Sequence, residues 1–382
     1  MKTLLILCGF WLAVACATAQ SAPVALGLTA DGEGRLLKEG KPYRAIGVNY
    51  FDAFLRTLHE PPDESYDAGF AALAAQKIPF VRLCAIGFWP CDMALYRTNA
   101  PAYFQRLDGV IRSAERHGVG LIPSLFWTPA TVPDIVGEPC DQWGNPASQT
   151  LAFMRRYVRE VVTRYNESPA IWGWEFGNEY NLACDLPNAA THRPKIAPRL
   201  GTPATRSARD EFSTDIVRAA LTQFAMEVRR YDSRRFITSG HSMMRPAAWH
   251  MLHERSWRLD SPEQFAGMLQ RQHPDPVDVI CVHSYLEAIA AIPQVAQVAA
   301  RLKKPLFIGE FQLQDSLGPA AEQKFKDVLA LIEISGVALA AVWDYDCLHA
   351  EREWNVTPAN GRSYQLKAIA EANERLHAGE RK

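Results

Sequence analysis

Eight short apolar runs alternate with eight longer helical patterns along this chain, and this alternation limits the folds open to it. Most of the short runs are almost continuously apolar, as expected of parallel strands buried on both faces. The predicted strands span residues 44–50, 80–85, 120–126, 171–176, 236–240, 278–284, 306–311 and 338–345. Eight strands, each followed by a helix, predict a single α/β domain of the (β/α)8 TIM-barrel type.

The helical patterns fill the intervals between these strands. They span residues 67–76, 103–118, 148–166, 213–231, 261–272, 291–303, 320–336 and 363–376. Ser148 and Ser261 are capping residues that begin two of them, and Gly118 and Gly336 end two others. A doubly wound sheet is the alternative fold. It usually has a Gly-rich phosphate turn after its first strand, and the segment RAIGVNYFDAF has none.

The N-terminal residues differ in pattern from the rest of the chain. A positively charged start, an apolar stretch from Leu4 to Ala15 and the small residues Ala17-Thr18-Ala19 predict a secretory signal over residues 1–19. The (β/α)8 domain would then span residues 20–382 and be exported to a periplasm or the outside. Cys16 raises a second interpretation, a lipid-anchored N-terminus. No later stretch is long and apolar enough to span a membrane.

The composition excludes several classes of partner. The chain is 48% hydrophobic and 22% charged, which is typical of an ordinary globular protein, and its formal net charge is -1. It has no long run of one charge, so nothing in it favours binding to nucleic acid or to an anionic membrane surface. The sequence implies no protein partner, no cofactor and no metal ion.

Six cysteines remain once the predicted signal is removed. In an exported protein they can form disulfides. Cys140 with Cys184 and Cys84 with Cys91 are two conceivable pairs, although the sequence does not fix the connectivity. Cys281, within the apolar run VDVICVHSY, is instead predicted to be a buried thiol.

Two predicted strands end in a glutamate. In a (β/α)8 barrel the active site lies at the C-terminal ends of the strands. The fourth strand is followed by Asn178 and Glu179, and the seventh ends in Glu310. Because these strands lie roughly across the barrel mouth from each other, the two carboxylates are expected to face each other. Such a pair is the equipment of glycoside hydrolysis, in which one carboxyl is a general acid and the other a nucleophile or base.

Together with residues on other strands, this pair resembles the clan A retaining glycoside hydrolases, specifically glycoside hydrolase family 5. The likeness extends over nearly the whole chain, from GVNYF at the first strand to VWDYD at the eighth. It is carried by Asn178-Glu179 after an aromatic strand, Glu310 in FIGEF, Arg82 in FVRLC, His283-x-Tyr285, and Trp343 in VWDY.

The resemblance implies a role for each of these residues. Glu179 would be the acid/base and Glu310 the nucleophile of a double displacement. Asn178 would hold the sugar 2-hydroxyl, Arg82 and Tyr285 would orient Glu310, His283 would line the sugar site, and Trp343 would be the floor on which the sugar stacks. A general acid must stay protonated near neutrality, so aromatic neighbours are expected to raise the pKa of Glu179.

The segment WEFGNE and the Phe that follows Glu310 resemble the β-mannanase branch of the family. The third strand ends in Phe126 and Trp127 without the His of the cellulase-type pattern. A β-1,4-mannan or manno-oligosaccharide is therefore the leading substrate, and a β-glucan, or exo action on a β-glycoside, is second. A non-catalytic glycan-binding barrel is the rival of another class, and the intact Glu pair argues against it. A metal-dependent hydrolase would need a His/Asp cluster at the strand ends, which the sequence lacks.

Further side chains are candidates for the sugar site or its support. Glu175 shares the strand parity of Glu179 and lies deeper in the barrel, so it is expected to be buried and paired, with Arg82 as a candidate partner. Asn49 ends the first strand and is a candidate sugar ligand. The Trp residues predicted in loops are candidate stacking platforms, Trp127 and Trp89 ahead of Trp143, Trp249 and Trp354.

Overall fold

A computed structural model of the chain contains an eight-stranded parallel barrel surrounded by helices. It describes residues 26–313, 316–318, 320–347 and 354–379, so the predicted signal over residues 1–19 and Cys16 lie outside the described residues. The strands are β1 (Leu28–Ala30), β2 (Leu36–Lys38), β3 (Lys41–Pro42), β4 (Ala45–Asn49), β5 (Phe80–Cys84), β6 (Gly120–Phe126), β7 (Gly173–Gly177), β8 (Phe236–Thr238), β9 (Ile280–Tyr285), β10 (Leu306–Gln312) and β11 (Leu339–Val342).

The barrel is built from β4 to β11. Hydrogen-bonded neighbours follow the order β8-β7-β6-β5-β4-β11-β10-β9, and a parallel bridge between Thr238 and Val279 joins its two ends. Each of the eight predicted strands corresponds to one of these barrel strands, with ends that differ by a few residues. The prediction of a (β/α)8 barrel is therefore confirmed.

Eight of the helices are those predicted, and they follow the strands around the barrel. The α-helices are α1 (Tyr66–Ala75), α2 (Ala94–Thr98), α3 (Ala100–His117), α4 (Thr131–Val136), α5 (Gln149–Tyr165), α6 (Thr214–Arg229), α7 (Ala248–Glu254), α8 (Pro262–Gln272), α9 (Ile292–Arg301), α10 (Ala321–Ile334) and α11 (Tyr364–Gly379). The sequence did not predict α2, α4 and α7. Each has at most seven residues, too few for a helical period to stand out.

Strands β1 to β3 form a small antiparallel sheet that the sequence did not predict. Leu28 and Leu36 from this sheet are buried in one cluster with Phe80 and Phe236. These two Phe residues begin β5 and β8, so the sheet covers the N-terminal end of the barrel. Burial of these apolar side chains closes the end opposite the predicted active site.

The cysteines do not pair as conceived from the sequence. Cys84, Cys140 and Cys184 are buried thiols and Cys91 is an exposed one, so neither disulfide is present. Cys281 is buried in β9, as predicted. Among the described helices, none combines the length and apolar character that a bilayer crossing needs.

Candidate active site

The ends of β7 and β10 bring Glu179 and Glu310 together. A carboxylate oxygen of one lies within 4.8 Å of a carboxylate oxygen of the other. In β10 the pairing with β9 slips between Ile308 and Glu310, which is a bulge that redirects the strand end. A Cβ added to Gly309 in this bulge would lie 2.8 Å from Nε2 of His283, so a larger residue here would displace the His283 ring.

Glu179 lies on a sharp turn beyond the end of β7. Its φ of 53° is in the left-handed region, which is unfavourable for a residue with a side chain. Its backbone N–H donates to the carbonyl of Gly240, and that of Asn178 donates to Trp127. A Cβ at Gly240 would lie 1.9 Å from the Gly177 carbonyl, so close contact between these two strand ends requires glycine. Neighbouring loops thus hold Glu179 in a strained position, which is common at functional sites.

Arg82 of β5 lies beneath both carboxylates and is fully buried. Its Nε donates to Oε1 of Glu175 at 2.7 Å, and its Nη1 donates to Oε1 of Glu310 at 2.7 Å. The same Nη1 donates to Asn49 Oδ1, and Nη2 donates to Asn178 Oδ1 at 2.7 Å. The predicted pairing of Arg82 with Glu175 is present, and Arg82 divides its charge between Glu175 and Glu310.

Glu310 is fixed from two sides. Arg82 holds Oε1, and the hydroxyl of Tyr285 donates to Oε2 at 2.6 Å. The side chain is only 6% exposed. Its remaining freedom is small, which suits a nucleophile that must meet a carbon atom along one direction.

His283 of β9 links the two glutamates. Its Nδ1 lies 2.9 Å from Oε1 of Glu179 and 3.5 Å from Oε2 of Glu310. The ring is buried, so it supports the carboxylates from below instead of presenting a face to the cavity. A cation among these three side chains would compete with the bonds that Arg82 and Tyr285 already make to Glu310.

The pKa of Glu179 differs from the sequence-based expectation. Burial acts to raise it, but the hydrogen bond and charge of His283 outweigh that effect, so the pKa is lower than usual. The expected raising of the pKa is thus wrong for the unliganded protein, because the sequence could not reveal the contact between Glu179 and His283. Below it, burial raises the pKa of Glu175 even though Arg82 opposes the shift.

Aromatic side chains form most of the wall around the carboxylates. The cavity, of about 610 Å³, is lined by Phe51, Phe88, Trp127, Asn178, Glu179, Tyr285, Leu286, Glu310, Gln312, Trp343 and Trp354. The rings of Trp127 and Trp343 are stacked with centroids 6.1 Å apart. We call this space the cleavage cavity.

Sequence reasoning missed four residues of the cleavage cavity: Phe51, Phe88, Leu286 and Gln312. Gln312 lies two residues after Glu310 on β10, and the period of a strand places both on the same face. Phe51 lies two residues after the end of β4. These positions were detectable from strand parity, whereas Phe88 and Leu286 lie in loops whose course the sequence does not fix.

Two residues that were predicted to contact sugar do not line the cleavage cavity. Asn49 is fully buried, and its side-chain amide donates to the Gly309 carbonyl at 2.9 Å, so it supports the strands below the cavity. Trp89 lies outside the cleavage cavity and lines a neighbouring one. Among the less favoured candidates, Trp143 is fully buried and Trp249 packs against His253 on α7.

Asp344 follows Trp343 of the cavity wall, and its carboxyl group is buried. Burial, with smaller contributions from Asp52 and Glu310, raises its pKa from 3.8 to about 7. A carboxyl whose pKa is raised by folding favours the folded state when protonated, so stability falls as pH rises from about 4 to about 7. We expect Asp344→Asn to remove this loss and to stabilise the protein at pH 8 by up to about 4 kcal/mol.

Denaturant unfolding of the wild type and Asp344→Asn at pH 4.5 and pH 8 measures this difference. The gain from the substitution should be small at the lower pH and large at the higher one. Asp327→Asn, on an exposed face of α10, is the control and should give the same small change at both pH values. An Asp344→Asn variant with equal stability changes at both pH values would show that Asp344 is ionised throughout.

Comparison with known proteins bears on the family of the chain. No protein-family model matches it. It is similar to a probable mannan endo-1,4-beta-mannosidase A of Aspergillus flavus, 42% identical over 82 residues that make up 20% of this chain and 21% of that protein. The chain thus spans about a fifth of the length of the curated relatives it matches.

Solved structures match almost the entire barrel. An endo-1,4-beta-mannanase from Rhizomucor miehei has a TM-score of 0.67 at 16% identity, over 91% of this chain and 99% of that one. A glycoside hydrolase family 5 mannosidase from the same organism has a TM-score of 0.65 at 13% identity, over 94% and 100%. At such identities the structural likeness establishes the fold. Taken with the sequence match, it confirms the resemblance of this chain to the β-mannanase-like branch of glycoside hydrolase family 5.

Proposed function

We propose that the chain is a retaining β-glycoside hydrolase that cleaves β-1,4-linked mannan or manno-oligosaccharides. The observation that carries this proposal is the pair Glu179 and Glu310, with carboxylate oxygens within 4.8 Å of each other at the floor of an aromatic cavity. Retaining enzymes have carboxyl groups about 5–5.5 Å apart, whereas inverting enzymes need roughly 6.5–9.5 Å to admit a water molecule. The choice of mannan rests on the β-mannanase-like sequence and on the names of the similar proteins.

The first step assigns opposite tasks to the two glutamates. An oxygen of Glu310 forms a bond to the anomeric carbon while the bond from that carbon to the leaving oxygen breaks. Glu179 gives its proton to the leaving oxygen. Because Glu179 is 30% exposed when the cavity is empty, a bound glycan would remove it from water and so raise its pKa. Substrate binding thus supplies what the unliganded site lacks, a protonated acid.

The second step reverses these roles. Glu179, now ionised, takes a proton from a water molecule. The oxygen of that water attacks the anomeric carbon, and the bond between this carbon and Glu310 breaks. Asn178 accepts from Arg82 through Oδ1, which leaves its Nδ2–H to donate to a hydroxyl of the sugar. Trp343 is half-buried in the cavity wall and offers its face to the sugar ring.

A substrate screen tests the proposal as a whole. Mannan, glucomannan, cellulose-type glucan, β-1,3-glucan and aryl β-mannosides would be incubated with the purified chain. We expect cleavage of the mannans and mannosides, with the β-configuration kept in the first product and no effect of a chelator. Cleavage of glucans alone would contradict mannan as the substrate. An initial α-product would contradict retention.

The role of Glu179 has its own test. We expect Glu179→Ala to lose about 10²–10⁴-fold in rate on natural glycans, which need protonation of the leaving group. Aryl glycosides with a very good leaving group need no such help in the first step and should be much less affected in that step. Pre-steady-state release of the aryl group measures it. Equal losses on both substrates would contradict the assignment of Glu179 as the acid.

We also propose that the chain is exported, because residues 1–19 have the pattern of a secretory signal. Fractionation of expressing cells, with the N-terminal sequence of the mature protein, tests this directly. A protein that retains residues 1–19 in the cytoplasm would contradict it.

A further inference from the structure

A second cavity next to Glu179 differs from the cleavage cavity in the glutamates that line it. It has a volume of about 340 Å³ and shares Phe88, Trp127, Asn178 and Glu179 with the cleavage cavity, but Glu310 does not line it. The nucleophile attacks the sugar that stays on the enzyme, whereas the acid protonates the group that departs. A space that contains the acid and not the nucleophile therefore receives the leaving group, and we call it the leaving-group cavity.

The leaving-group cavity contains a cation without a counter-ion. Arg245 lies on its wall, half-buried, and its Nε donates to the Leu182 carbonyl at 3.1 Å. Within the described part of the chain, its two Nη groups have neither a hydrogen-bond nor an ion-pair partner, and the guanidinium lies 6.0 Å from the centre of the Trp257 ring. Glu179 is the carboxylate among the residues that line this cavity, and it is engaged by His283.

A second cation follows in the adjoining space. A cavity of about 370 Å³ shares Phe88 and His192 with the leaving-group cavity and is lined further out by Trp89 and Lys195. The Nζ of Lys195 lies 5.8 Å from the Trp89 ring, and Lys195 is exposed.

Asp134 is the carboxylate that lines this outer cavity, and it does not neutralise Lys195. Asp134 is neutralised by Arg206, whose Nη1 lies 2.6 Å from it, and both side chains are buried. Arg245 and Lys195 are therefore two uncompensated positive charges along the path of the leaving group. A partly desolvated guanidinium with free N–H groups binds carboxylates more strongly than hydroxyls.

We propose that the leaving-group side binds an acidic sugar, a uronate whose carboxylate is met by Arg245 with Lys195 further out. This inference rests on the proposed glycosidase function and specifies its substrate. Trp89 then stacks against a sugar of the leaving group, which explains why it lies outside the cleavage cavity. The preferred glycan carries neutral sugars on the Glu310 side of the cleaved bond and negative charge on the other.

The test compares two oligosaccharides that differ only at C6 of one sugar, which is a hydroxymethyl group in one and a carboxylate in the other. Both are β-1,4-linked manno-oligosaccharides, and in one of them the sugar of the leaving group is mannuronate instead of mannose. We expect the wild type to have a kcat/KM at least about tenfold higher for the uronate, since a charge-assisted hydrogen bond contributes more than a neutral one. In Arg245→Gln the ratio of the two kcat/KM values should fall by about 10- to 100-fold.

Controls separate this outcome from its alternatives. Lys195→Gln should lower the same ratio less than Arg245→Gln does, and Lys324→Gln, exposed on α10 away from the cavity, should not change it. Added salt should reduce the preference of the wild type. Equal losses of Arg245→Gln on both oligosaccharides would overturn the proposal, because Arg245 would then bind hydroxyls or support the loop.

Binding to Glu310→Ala distinguishes this proposal from the glycosidase proposal. If neither oligosaccharide is cleaved by the wild type, the glycosidase assignment fails, and calorimetry with Glu310→Ala still reports on charge selection. Tighter binding of the uronate, lost on adding Arg245→Gln, would support the acidic-sugar site. Equal binding of both oligosaccharides would overturn it.

Discussion

Replacement of Glu310 by Ala is expected to reduce turnover by about four to six orders of magnitude, since the proposed mechanism then lacks its covalent nucleophile and keeps only binding and charge effects. The loss should come without a large loss of stability. Glu310 shares Arg82 with Glu175, so in its absence Arg82 keeps one buried carboxylate as counter-ion. The variant should therefore be a folded protein that binds glycans and does not cleave them.

The rate of hydrolysis of an aryl β-mannoside measures the loss, and thermal unfolding checks the fold. Azide, a small anion that fits where the carboxylate was, should restore cleavage and give an α-product, because one displacement replaces two. Glu167→Ala, an exposed residue after α5, is the matched control and should keep full activity. A Glu310→Ala variant that keeps a tenth of the wild-type rate would show that another group is the nucleophile.

Strand-end residues of the site were predictable because the barrel places them by rule. Glu179, Glu310, Arg82, His283 and Tyr285 follow from the apolar runs and from the rule that parallel strands present their C-terminal ends to the active site. In the structure these side chains do converge. Their catalytic roles remain predictions, which the experiments above test.

Features that depend on the exact position of atoms were not predictable. Strand parity could not tell that Asn49 is fully enclosed, and the lowered pKa of Glu179 depends on a contact with His283 between two separate strands. The sheet formed by β1 to β3 has strands of two or three residues, too short to show a period. Trp89 was assigned from its residue type, whereas its place in a neighbouring cavity depends on the course of its loop.

Arg82→Met is expected to destabilise the fold by about 3–5 kcal/mol, because it leaves Glu175 and Glu310 buried without the guanidinium that pairs with both. Met has a similar length, so the effect measures lost charge more than lost volume. Without Arg82 the pKa of Glu175 should rise further above its unfolded value. A carboxyl with a raised pKa destabilises the fold only once it ionises, so the deficit should shrink as the pH is lowered toward 4. Denaturant unfolding at pH 4.5 and pH 8 measures the loss of stability and its dependence on pH.

The double variant Arg82→Met, Glu175→Gln measures how much of the loss of stability comes from the interaction between Arg82 and Glu175. If the loss in Arg82→Met comes from the unpaired carboxylate of Glu175, then removing that charge should recover part of the stability, and the two effects should not be additive. Activity should stay low in both variants, since Oε1 of Glu310 and Oδ1 of Asn178 both lose the donor that positions them. Additive losses, equal at both pH values, would mean that Arg82 acts mainly through packing. In that case Glu310 would owe its position to Tyr285.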